Sequence, residues 1–126
     1  MRLTHQLEAS QEAPHQARVE FEPLRQSLST ERWEDLRLLV TELVTNAVKY
    51  GAAGGPITLT AERFDGHVRV DVVNVLAPGQ AVVTGLAGAE GLVGLGLALV
   101  AAWSTAWGHE HDPAGATRVW FELDAT

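Results

Sequence analysis

The apolar and polar positions of this chain change period along its length, and each period predicts a different element. Alternation at Leu3, His5 and Leu7 predicts a short strand suited to a sheet edge. From about residue 12 to residue 28, apolar positions recur every three or four residues, which predicts a helix. Pro23 falls inside that pattern and should kink the helix or split it in two.

The strongest helical pattern follows, in "STERWEDLRLLVTELVTNAVKYG". Thr30 is the predicted N-cap and Gly51 the predicted stop. Acidic residues close behind Thr30 suit the positive end of the helix dipole. Three- and four-residue spacing predicts one buried face, made of Trp33, Leu36, Val40, Leu43, Ala47 and Tyr50.

Strict alternation then predicts a β-hairpin over residues 56–75, with Asp65-Gly66 as its tight turn. The inward positions of its second strand are valines, and Asn74 is the next position on that face. Residues 76–91 are rich in Gly, Ala and Val, and we interpret them as a long mobile loop.

The segment "GLVGLGLALVAAWSTAWG" begins with glycines and predicts a helix that ends near Trp107, with Trp103 and Trp107 one turn apart in the core. Residues 117–123 predict a last strand, paired with residues 107–111. The order β, α, α, β, β, loop, α, β, β indicates an α+β fold. We expect a two-layer α/β sandwich whose mixed, mainly antiparallel sheet carries the helices on one face.

Composition narrows the function classes. A length of 126 residues suits one compact domain spanning 1–126, and 46% hydrophobic residues suffice for its core. A net charge of −7 argues against non-specific nucleic-acid binding, and the absence of cysteine excludes thiolate chemistry. No apolar run approaches the roughly 20 residues that span a bilayer, so the default expectation is no membrane contact and a cytoplasmic location.

Three polar side chains share one flank of the strongest helix. Glu42, Asn46 and Lys49 project within roughly 60° of one another, beside the predicted buried face. A solvated flank with a Glu-to-Lys pair is one interpretation. Asn46 favours a cleft instead, because Asn is a poor helix former and its carbonyl oxygen suits Mg²⁺. Glu42 would then orient or deprotonate a hydroxyl, and Lys49 would approach a phosphate.

A second element, "GLVGLGLALV", places glycines before a helix N-terminus, where backbone N–H groups can face phosphates. Together the two elements resemble a GHKL-type (Bergerat-fold) ATP-binding domain, especially the stand-alone anti-sigma-factor serine/threonine kinases. "LLVTELVTNAVKYG" is similar to the N-box of that family and "GLGLALV" to its second glycine box. "AWG" and "TRVWFELD" resemble its closing helix and strand.

The resemblance implies ATP and Mg²⁺ as ligands. It makes Glu42 the general base or water-orienting residue, Asn46 the Mg²⁺ ligand, and Lys49 a neighbour of the phosphates or the sugar. The phosphate-facing end of the lid would comprise Gly94, Gly96 and Leu97. The family's substrate is a serine of a small STAS-type anti-anti-sigma protein, its other partner is a sigma factor, and such kinases are usually homodimers.

The chain departs from the family pattern at the first glycine box. Where the family has an Asp that accepts a hydrogen bond from the adenine amino group, this chain has Asn74, and Leu76 replaces the following Gly. Asn keeps an acceptor oxygen but loses the charge-assisted strength. A degenerate Bergerat domain that acts only through protein contacts is therefore the alternative. A sensor histidine kinase fragment ranks last, because few residues precede the motif helix.

Overall fold

The structure is a computed structural model, described over residues 1–51, 55–75, 99–111 and 115–126. Residues 99–103 are helical, and the 3₁₀ helix is Glu22–Ser27. The other elements are β1 (Arg2–Glu8), α1 (Ala13–Glu20), α2 (Thr30–Tyr50), β2 (Pro56–Phe64), β3 (His67–Val75), β4 (Ala106–His111) and β5 (Ala116–Asp124).

The five strands form one sheet in the order β1-β2-β3-β5-β4. All four described pairings are antiparallel, and β1 and β4 lie at the two edges. The predicted hairpin is confirmed, with Phe64 opposite His67. Its turn residues Asp65 and Gly66 have φ values of 42° and 80°, the left-handed conformation that a tight Asp-Gly turn requires.

One face of this sheet packs against α2 to form the core. The predicted apolar face of α2 is buried at Trp33, Leu36, Val40, Leu43 and Ala47, and the side chain of Tyr50 lies outside the described part. The sheet contributes alternate residues of its three central strands, namely Ile57, Leu59, Ala61, Val68, Val70, Val72, Phe121 and Leu123. The two-layer α+β architecture with helices on one face is therefore confirmed.

The first helical segment is split near Pro23, as the sequence predicts. Helix α1 ends at Glu20, and Pro23 lies in the first turn of the 3₁₀ helix. A proline is tolerated there because its missing N–H would have no helical partner in a first turn.

The N-cap prediction for α2 was wrong by one residue. Ser29, not Thr30, has extended backbone dihedrals, and its side chain accepts a hydrogen bond from the Arg32 N–H at 3.2 Å. Gly51 is the C-cap, as predicted, and its N–H donates to the Ala47 carbonyl.

The predicted end of the last helix was also wrong. Helical residues stop at 103, and the "AWG" segment belongs to β4. The Ser104 hydroxyl bonds back to the Val100 carbonyl, and the Thr105 N–H and hydroxyl both donate to the Glu122 carbonyl on the neighbouring strand β5. Such side-chain bonds compete with the helical ladder and start the strand instead.

Trp103 and Trp107 consequently do not share a helix. Trp103 is 44% exposed, and Trp107 sits on β4, where its ring stacks on His109. Within the described part of the chain, no helix is both long enough and apolar enough to cross a membrane.

Two tryptophans of opposite burial offer a matched test of this core. We expect Trp33→Ala to lower the free energy of unfolding by about 3–5 kcal/mol, because Trp33 is 2% exposed and its removal leaves a cavity. Trp103→Ala should cost well under half of that, since much of its surface is already in water. Urea denaturation followed by circular dichroism measures both, and equal losses would contradict the assignment of Trp103 to the surface.

Candidate functional site

Helix α2 presents its polar flank at the edge of the core. Glu42 and Asn46 are half-buried and Lys49 is exposed, so the flank passes from the packed region to solvent along the helix. The neighbouring residues Leu43, Val44 and Ala47 are buried against the sheet. A cleft beside the core is therefore compatible with the position of all three side chains.

The flank is not held by a Glu-to-Lys ion pair. Neither Glu42 nor Lys49 forms a hydrogen bond or salt bridge with another described residue. By contrast, Arg32, Asp35, Glu34 and Arg37, earlier in the same helix, pair at a spacing of three residues. The described contacts thus do not support a Glu-to-Lys pair, and neither charge is neutralised by another described residue.

The amide group of Asn46 has no hydrogen-bond partner among the described residues. Its Nδ2 atom is buried, and an unpaired buried polar atom is uncommon. Its carbonyl oxygen has no partner among the described residues either. The amide oxygen of this half-buried residue fits the role of a single protein ligand to Mg²⁺. The other ligands of a protein-bound Mg²⁺ are usually waters and substrate phosphates.

No preformed cage for a metal surrounds this residue. Across the described ranges, no group of three or more His, Cys, Asp or Glu side chains is arranged to hold a metal ion. His109 and His111, which share a face of β4, are therefore not part of such a cluster. A cation bound by Asn46 would depend on the nucleotide phosphates to neutralise its charge.

Asn74 lies at the inner face of β3, as predicted, and is only 9% exposed. Its Nδ2 donates a long hydrogen bond of 3.5 Å to the Ala47 carbonyl in the last turn of α2. A carbonyl can only accept, so this contact assigns the amide orientation and leaves the Asn74 carbonyl oxygen as an acceptor without a partner among the described residues. An acceptor is what an adenine amino group requires.

Gly51 makes this approach of β3 to α2 possible. A Cβ added at Gly51 would lie 2.3 Å from the Ala47 carbonyl oxygen, 2.8 Å from Asn74 Nδ2 and 3.2 Å from the Val75 carbonyl oxygen. Its φ of −80° is ordinary, so the requirement for glycine is steric. The residue that ends the helix thus also creates the space beside Asn74.

Thr117 was not among the predicted site residues. This residue is 3% exposed and lies directly opposite Asn74 across the pairing of β3 and β5. These two are the buried polar residues of the described core. The sequence does indicate that Thr117 faces inward. It lies two and four residues before Val119 and Phe121, and alternate residues of a strand share one face.

The remaining predicted positions lie outside the described residues. Leu76, Gly94, Gly96 and Leu97 all fall within residues 76–98, and so does the predicted loop over 76–91. Their assignment to the lid and the phosphate-facing turn stays a prediction from the sequence.

The opposite face of the sheet carries a charged network with a structural explanation. Asp71 accepts from Arg118 at 2.7 Å and from Arg69 at 2.9 Å. The Arg69 guanidinium also lies over the Trp120 ring, 4.3 Å from its centre. These charges satisfy one another, so they do not mark the ligand site.

Comparison with known proteins agrees with this geometry. Residues 7–121 match the model of the histidine kinase-like ATPase domain, which is nearly the whole chain. The protein belongs to that family and has the GHKL-type ATP-binding fold. No curated protein matches the sequence at a significant level.

Solved structures show the same fold. The RsbU and RsbW domains of Rv1364c from Mycobacterium tuberculosis align over 98% of this chain with a TM-score of 0.75 and 23% identity. This chain spans 32% of that protein's length. The catalytic domain of histidine kinase ThkA aligns over 98% of this chain and 96% of its own, with a TM-score of 0.61 and 19% identity. A histidine kinase from Burkholderia phymatum aligns with a TM-score of 0.56 and 18% identity, over 100% and 72% of the two chains.

The packing at Gly51 generates a prediction about stability. Gly51→Ala should cost about 2–3 kcal/mol of unfolding free energy, because the new methyl group meets backbone atoms that cannot move aside. Gly66→Ala is the matched control: its Cβ would meet no atom within 4 Å, and its cost is the strain of a φ of 80°, about 1 kcal/mol. Chemical denaturation measures both, and a larger loss at Gly66 would contradict the close packing of β3 on α2.

Proposed function

We propose that this protein binds ATP with Mg²⁺ between the polar flank of α2 and the ends of β3 and β5. The observation that carries the proposal is the contact of Asn74 with the Ala47 carbonyl. It supports the proposal because the amide of Asn74 then lies beside the helix turn that carries Asn46. In the proposed complex, Asn74 would accept from the adenine amino group and Asn46 would act at the phosphates, next to the same helix end.

We further propose that the bound nucleotide is a phosphoryl donor to a serine hydroxyl. The half-buried Glu42 carboxylate would take the hydroxyl proton while the serine oxygen bonds to the γ-phosphorus and ADP leaves. Lys49 would stabilise negative charge on the phosphates or contact the sugar. Mg²⁺ held by Asn46 would neutralise phosphate charge. Phosphoryl transfer relies mainly on positioning and charge stabilisation, so this short set of residues is sufficient.

The proposed substrate is a STAS-type anti-anti-sigma protein, and the proposed second partner is a sigma factor that the chain sequesters, with a homodimer as the working assembly. The support is the likeness of "LLVTELVTNAVKYG" to the N-box of anti-sigma-factor kinases. One of the similar solved structures contains an RsbW domain, and this likeness supports the same proposal.

The alternative proposal is a degenerate domain that acts through protein contacts alone. Asn74 in place of the family's Asp favours it, because a neutral acceptor binds the adenine amino group less strongly than a carboxylate. Leu76 in place of the following Gly favours it as well. The two proposals differ in whether nucleotide binds and whether phosphate is transferred.

Titration calorimetry with ATP and ADP tests nucleotide binding. We expect binding that requires Mg²⁺ and that weakens at least tenfold in Asn46→Ala, because the variant removes the metal's protein ligand. Mg²⁺ alone should give no heat, since no described cluster of ligands holds it without phosphates. Asn46→Asp restores an oxygen ligand and serves as the matched control. An absence of heat with either nucleotide at millimolar concentration would exclude the kinase proposal.

Transfer of radiolabelled phosphate to a co-encoded STAS-type protein tests catalysis. Glu42→Gln should keep nucleotide affinity within about twofold and lower the transfer rate by about 10²–10⁴, the usual contribution of a general base. The conservative swap leaves the size of the half-buried side chain unchanged. Binding of ATP by the wild-type protein without any transfer to the partner would favour the non-catalytic alternative.

A further inference from the structure

We propose that His111 is a positioning residue for the base end of the nucleotide site, and that it acts by orienting the hydroxyl of Thr117. This inference rests on the proposed binding of an adenine nucleotide. It concerns a residue that neither the motifs nor the family match assigns to the site.

Three polar residues form a row across three adjacent strands. Asn74 on β3 lies opposite Thr117 on β5, and Thr117 lies opposite His111 on β4. The next pair on the same face of the central strands, Val72 opposite Val119, is apolar. Directly opposite residues in antiparallel strands have Cβ atoms about 4.5–5.5 Å apart, so each member of the row can contact the next.

The contact between His111 and Thr117 is a hydrogen bond. His111 Nδ1 lies 3.0 Å from Thr117 Oγ1. Thr117 is 3% exposed, whereas His111 lies in the exposed half of the edge strand. His111 thus extends from the edge strand β4 to the buried hydroxyl of Thr117.

A hydroxyl has one proton, so this bond determines what Thr117 can offer to a ligand. If His111 Nδ1 accepts the Thr117 proton, the hydroxyl has only lone pairs for the site. If Nδ1 donates, the Thr117 proton is free to donate to a base. The edge of adenine pairs an amino donor with a ring-nitrogen acceptor. The acceptor oxygen of Asn74 and a donating Thr117 match that pair, so the productive form of His111 carries a proton on Nδ1.

The groups around His111 support a local role. On the same face of β4, His109 stacks on the Trp107 ring. Glu110 and Arg118 are register partners and project to the opposite face of the sheet. Among the described residues, the polar contact of the His111 ring is the Thr117 hydroxyl.

Two substitutions that differ only in reach test this proposal. In His111→Asn, the side-chain amide occupies the position of Nδ1 and can still bond to Thr117. In His111→Gln, the amide lies one bond further out, near the position of Nε2. We expect Mg²⁺–ADP to bind about fivefold more weakly to His111→Gln, the range for one neutral hydrogen bond, and nearly normally to His111→Asn. Calorimetry of the full chain measures the affinities.

A double-mutant cycle shows whether His111 acts through Thr117. In the Thr117→Val background, His111→Gln should have no further effect on the ADP affinity, because the hydroxyl that it orients is absent. A thermal melt without nucleotide checks that the variants are equally folded. Three results would each overturn the proposal: an unchanged affinity in His111→Gln, equal losses in His111→Asn and His111→Gln, or a loss that persists in the Thr117→Val background. A wild-type protein that binds no ADP would instead overturn the proposed function and this inference with it.

Discussion

The approach of β3 to the last turn of α2 is the contact on which the candidate site depends. The Ala47 carbonyl accepts from the Gly51 N–H at 2.9 Å and from Asn74 Nδ2 at 3.5 Å. The missing side chain of Gly51 leaves room for both donors. One backbone oxygen therefore links the end of the motif helix to the end of a central strand. Any displacement of the two elements would separate Asn74 from Asn46, the two residues proposed to bind the base and the metal.

The row formed by Asn74, Thr117 and His111 shows how the sheet changes from core to site. The inner face is apolar at Val70 and Phe121, and it becomes polar at its open end. Buried polar groups destabilise a fold unless they are hydrogen-bonded, and Asn74 and Thr117 each have one protein partner. Each also keeps hydrogen-bonding capacity that the described residues leave unused. Such partial satisfaction is expected where a ligand completes the network.

Local patterns predicted most of the fold, and a non-local contact accounts for the error at the end of the last helix. The buried face of α2 and the hairpin at Asp65-Gly66 follow from periodicity and turn chemistry within one segment. The early end of the last helix depends on Thr105 bonding to Glu122, a residue 17 positions away. The same distinction between local and non-local features applies to the candidate site. Asn46 and Glu42 share a helix and were predicted together. Thr117 and His111 join the site only through strand register, which the sequence alone does not reveal.

Asn74, which stands where the family has Asp, would weaken the proposed adenine contact and is still compatible with nucleotide binding. In the proposed complex the side chain would both donate to the Ala47 carbonyl and accept from adenine, whereas a carboxylate can only accept. An ionised Asp would place an oxygen against the Ala47 carbonyl oxygen. Asn satisfies both requirements, although a neutral bond contributes roughly 1 kcal/mol less than a bond to a charged group. That difference corresponds to an affinity lower by about fivefold, which would weaken adenine binding without abolishing it.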